Sequence, residues 1–180
     1  MKSQAYVVIA TAALLVVSAC EASNEAPAVQ AAVAPGTPLE GVWRVAETSS
    51  ADSAVAPLLD PPGLYIFTRT HYSMMYVIGQ LPRPVFAAVD PTDAEKITAF
   101  ETFIANSGTY QVSGNTFVTS PTVAKNPNFM AGGRDQYQFR TAGDTLWLTS
   151  DGSGLRFMVN GQLVPQSATP IETTKLVRVQ

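Results

Sequence analysis

Short runs of alternating apolar and polar residues, broken roughly every 10 to 15 residues by turn signals, commit this chain to antiparallel β-structure. In Asp135–Arg140, Tyr137 and Phe139 fall on one face, with Gln136, Gln138 and Arg140 on the other. Asn160-Gly161, the strongest two-residue hairpin signal, joins Leu155–Val159 to Gln162–Val164. Ser113-Gly114-Asn115 joins Thr109–Val112 to Thr116–Ser120, and Thr141–Asp144 turns into Thr145–Thr149. Gly41–Glu47, Leu64–Thr68, Tyr72–Ile78 and Lys175–Val179 complete the set. About eight or nine short strands without βαβ alternation predict an all-β domain, an antiparallel barrel or a sandwich.

One helix interrupts the pattern. Thr92-Asp93-Ala94-Glu95 fits a capping box, and Ile97, Phe100, Phe103 and Ile104 share one helical face. With a stop at Asn106–Gly108, the spacing predicts an amphipathic helix over 92–106, packed on the side or end of the β-structure. Two loops, Gly79–Pro91 and Pro121–Gly133, are long enough to form rims or lids. Phe129 and Met130, close to Gly132 and Gly133, read either as a hydrophobic flap or as a simple cover.

The N-terminus carries an address. After Lys2, Ala5–Val17 is an uncharged apolar run, shorter than the about 20 residues that span a bilayer. Val17-Ser18-Ala19-Cys20 resembles the bacterial lipobox, in which cleavage precedes an acylated cysteine. Residues 1–19 then read as a lipoprotein signal peptide, Cys20 as the lipid attachment point, and 20–38, small and proline-rich, as a flexible tether. The folded domain is expected over 39–180. The expected location is the periplasmic face of a bacterial cell envelope, contacting membrane only through the N-terminal lipid. Glu21, where aspartate often marks inner-membrane retention, favours the outer membrane. As Cys20 is the sole cysteine, no intrachain disulfide forms.

Several chemistries find no support. The net charge is −3 and the arginines are scattered, which argues against nucleic acid as a partner. One histidine, one cysteine and no carboxylate cluster at ligand spacing argue against a metal. No glycine-rich phosphate loop precedes a helix, and no cofactor is expected. His71 is the single candidate base; it sits at a hairpin end, suited to a turn, a ligand contact or general acid–base work.

What remains is a set of soft aromatic side chains. On a strand Tyr72, Met74 and Tyr76 point one way, and with Tyr65, Tyr137 and Phe129 they suit an apolar cavity with a few orienting hydroxyls. The same composition suits a packed core.

Leu39–Arg44, Pro62–Thr68, His71–Met75, Pro82-Arg83-Pro84, Ser107–Tyr110, Val123–Pro127 and Asp144–Leu148 together are similar to the bacterial lipocalin-like domain family. The resemblance covers about residues 39 to 179 and implies a lipocalin-like antiparallel β-barrel with an interior cavity; it transfers no catalytic residue. It also implies that Trp43 of Gly41-Val42-Trp43 closes one barrel end beneath an arginine of the last strand, for which Arg178 is the candidate. The expected function is binding of a small hydrophobic molecule in the cell envelope, through Tyr65, His71, Tyr72, Met74, Tyr76, Phe129 and Tyr137. Two alternatives stand beside it: a barrel enzyme of isomerase or cyclase type using His71, and a non-catalytic structural or chaperone-like envelope protein.

Overall fold

The computed structural model describes residues 36–167 and 169–179. The expected signal peptide, the expected lipid attachment point Cys20 and the expected tether up to residue 35 lie outside the described residues.

Eight antiparallel strands close into a barrel. In chain order these are β1 (Gly41–Ser50), β3 (Gly63–Phe67), β4 (His71–Val77), β5 (Phe103–Ser113), β6 (Thr116–Ala124), β7 (Asp135–Ala142), β8 (Thr145–Ser150) and β11 (Glu172–Arg178). Each pairs with the next, and β11 returns to β1 with Trp43 opposite Arg178. A two-residue strand, β2 (Leu58–Leu59), adds to the far half of β1. A separate hairpin of β9 (Arg156–Val159) and β10 (Gln162–Pro165) is inserted before β11. Its turn residues Asn160 and Gly161 have φ of 48° and 76°, the positive pair that a two-residue turn needs to follow strand twist.

The period of two sets the core. Trp43 and Val45, Tyr65 and Phe67, Tyr72 and Met74, Leu146 and Leu148 alternate with less buried neighbours on their strands and meet inside. One end is solid. Trp43 is fully buried, its indole N–H donates to the Leu39 carbonyl at 2.8 Å, and the Arg178 guanidinium lies 4.1 Å from its ring centroid. Arg178 also donates to the Glu40 carbonyl at 3.0 Å. Gly41 makes this possible: its φ is 139°, and a Cβ there would land on the guanidinium. The pair expected from the resemblance is therefore in contact, guanidinium over indole. The domain starts slightly before residue 39, since Thr37 hydrogen-bonds the Tyr110 hydroxyl at 2.9 Å.

The helix differs from expectation. α1 spans Asp93–Glu101, with the predicted capping box formed between Thr92 and Glu95, but it buries no residue. Phe103 and Ile104 belong instead to β5, opposite Val77 and Tyr76. The spacing of Ile97, Phe100, Phe103 and Ile104 fits a helical face, yet the β4–β5 ladder claims the last two. A non-local ladder of seven residue pairs outweighs a weak local preference. Ile97 and Phe100 are consequently exposed.

Candidate functional site

An aromatic column leads from the plug to the other end of the barrel. Phe67 and Tyr110 meet Phe117 edge-on at 5.7 and 6.1 Å, and Phe117 stacks on Tyr137 at 5.1 Å. Beside it, Tyr65 stacks on Tyr76 at 5.6 Å. Above these rings the barrel is no longer filled. A cavity of about 190 Å³ is lined by Tyr76, Ile104, Asn106, Asp135, Tyr137 and Phe129, with Phe100 and Lys125 also on its wall.

Its wall is built from local structure outside the barrel as well. The short helix α2 (Pro127–Met130) is capped by Asn126, whose side chain accepts from the Asn128 and Phe129 amides at 2.9 and 3.3 Å. That cap turns Phe129 inward, where it is buried against Phe157 of β9 with ring centroids 5.8 Å apart. Gly133 lets this packing close, because a Cβ there would strike the Phe129 ring and backbone. Leu155 and Phe157 complete the wall.

The chemistry of the floor is unusual for an apolar lumen. Asp135 is 8 % exposed. Burial pushes its carboxyl up to about 6, opposed by the Tyr137 hydroxyl and by the Gln136 amide, which donates to it at 2.8 Å. The same burial pushes Tyr76 up to about 12 and holds Tyr65, Tyr72 and Tyr137 well above the usual phenol value, so the tyrosines stay neutral. Asn106 Oδ1 is buried and accepts no hydrogen bond within the described protein. At the rim, the Lys125 ammonium donates to the Phe100 carbonyl and sits 4.3 Å from the Phe100 ring centroid. Desolvation, and then the nearby Arg83, lower its pKa.

The expected ligand residues divide into three groups. Tyr76, Phe129 and Tyr137 line the cavity, and Tyr65 backs it by stacking on Tyr76. Tyr72 and Met74 do not: both are buried in the packed half of the barrel, nearer the plug. His71 is a plain correction. It is exposed at the β3–β4 turn, with Nδ1 bonded to Thr70 Oγ1 at 2.8 Å. Five residues of extended chain, about 17 Å, separate it from Tyr76, and it lies on the face opposite the buried Tyr72 and Met74. Asp60 is paired with Arg44 at 2.8 Å.

Asp135, Asn106 and Phe157 were missed as site residues. The signal for Asp135 was available, because it shares strand parity with Tyr137 and Phe139. Asn106 was hidden by its assignment to the helix end, and Phe157 by its place in a hairpin outside the barrel. No protein-family model matches the chain, and no curated protein matches it.

Proposed function

We propose that this is a lipocalin-like binding protein of the bacterial cell envelope, exported by the leader at residues 1–19 and anchored through Cys20, that holds a small, mainly hydrophobic molecule in its barrel. The observation that carries the reading is the asymmetry of the interior. One half is packed solid against Trp43, while the other leaves about 190 Å³ bounded by aromatic rings. A packed core tolerates few voids larger than a water, and this one, open on one side, gives a small molecule both space and a way in. Cavities of 150 Å³ lined by apolar groups stay dry and take up benzene. On that scale the lumen suits a one-ring or short-chain body. Larger ligand sites occupy roughly 300–1,000 Å³, so a bulkier molecule would leave its tail at the mouth.

Benzene is therefore the first probe. In a heteronuclear NMR titration of the chain, benzene is expected to shift signals of Tyr76, Phe129 and Tyr137 and to spare Trp43 and Tyr110. A Tyr76→Arg variant, which places a charge and added bulk on the lining, is expected to abolish those shifts. Uniform or absent shifts in the wild type would end the binding reading.

The enzymatic alternative loses its basis with His71 outside the lumen. The outer-face alternative draws on one observation, the exposure of Phe86, Ile97 and Phe100 on α1 and the loop beside it.

A further inference from the structure

The polar groups of the cavity specify more than apolarity, and the inference drawn from them rests on the binding reading above. Asp135 is a buried carboxylate with no cation within ion-pair distance among the described residues. Lys125, the cation on the cavity wall, is occupied by the carbonyl and ring of Phe100 at the rim. Asn106 Oδ1 is a second buried acceptor on the same wall, and no protein group donates to it. An isolated charge away from water is costly, and each buried acceptor without a donor adds to the cost. A neutral hydrocarbon occupant would leave both costs in place. The remaining walls, Tyr76, Tyr137, Phe129 and Phe157, present ring faces, whose quadrupoles favour a positive charge.

We propose that the cavity selects a small primary amine in its protonated form, a single ring or short alkyl chain bearing one ammonium, with that ammonium directed to Asp135 and Asn106. An ammonium supplies three donors and a positive charge, which matches two acceptors and the aromatic walls. The volume limits the apolar part: about 190 Å³ is only slightly more than the cavity that holds benzene.

The test compares two probes of one shape, benzylamine and ethylbenzene, by calorimetric titration of the full chain near pH 7.5. Benzylamine is expected to bind at least about tenfold tighter, since a charge-assisted hydrogen bond is worth that much. In Asp135→Asn the two probes are expected to bind within about threefold of each other. A measurement on the wild type alone supplies a second arm. Lowering the pH through 6 is expected to erase the benzylamine advantage and leave ethylbenzene unchanged, because Asp135 takes up a proton. The groups facing Asp135 in this window are Tyr65 on β3, Tyr72 and Tyr76 on β4, and Tyr137 on β7, all kept neutral by burial. Glu172, exposed at the start of β11, is close enough for its charge to raise Tyr76, and Lys125 lies at the rim. Equal binding of both probes to the wild type overturns the amine proposal and leaves the cavity reading intact. An amine preference that survives Asp135→Asn overturns the assigned contact. Failure of both probes to bind removes the cavity reading and the proposal with it.

Discussion

Trp43→Ala is expected to lower the unfolding free energy by about 3–5 kcal/mol, the cost of truncating a large buried aromatic side chain. Three losses combine at this position. The indole is fully buried, so its removal leaves a void at the centre of the solid barrel end. The Leu39 carbonyl loses the donor that holds it at 2.8 Å. Arg178, stacked 4.1 Å above the ring, keeps its bond to the Glu40 carbonyl but loses the surface on which it lies. Against a total stability of about 5–15 kcal/mol for a domain, this takes up a large share. Arg178→Leu removes the cation–π contact, the bond to the Glu40 carbonyl and the 3.6 Å ion pair with Asp144, and is expected to cost about 1–3 kcal/mol. Urea melts of the two variants decide the matter. A loss under about 1 kcal/mol for Trp43→Ala would mean that the end is not the structural plug described here.

Asp135→Asn is expected to act in the opposite direction, stabilising the ligand-free protein by about 1–3 kcal/mol near pH 8. The sign follows from the raised carboxyl. Folded Asp135 titrates at about 6, above its value in the unfolded chain, because burial disfavours its charge. Between the two values the folded state binds more protons, so the stability Asp135 contributes is full at low pH and lost as pH rises through about 6. Asparagine carries no charge at any pH and preserves the acceptor for the Gln136 amide. The difference between wild type and variant is therefore expected to be largest above pH 7 and to close as pH falls toward 4. Thermal melts of both proteins across that range measure it. A variant less stable than wild type at pH 8 would show that the carboxylate is already satisfied inside the protein. A buried group kept at a cost to stability is a mark of a site rather than of a core.

How far the sequence led depends on whether a feature is local. Strand alternation around Tyr137 and Phe139, the Asn160-Gly161 turn and the capping box at Thr92 are encoded within a few residues, and each is present as read. The first half of β5 is not encoded that way. Phe103 and Ile104 satisfy helical and strand spacing alike, and only pairing with Val77 and Tyr76 decides between them. Depth along the barrel is likewise invisible to a period of two. Tyr72, Met74 and Tyr76 share a face, yet the first two are buried in the core beside the plug and only the third reaches the lumen. Strand parity is legible in the sequence, and it places His71 outward and Asp135 inward.

Native mass spectrometry of the intact chain, extracted gently from the cells that make it, tests binding in the lumen most directly. The expected spectrum has a protein mass beginning at Cys20 with acyl chains, plus a non-covalent adduct of a small molecule that Tyr76→Arg abolishes. A bare protein mass across several extraction conditions, or an adduct retained unchanged by Tyr76→Arg, would contradict a binding lumen and move the function to the outer surface around α1.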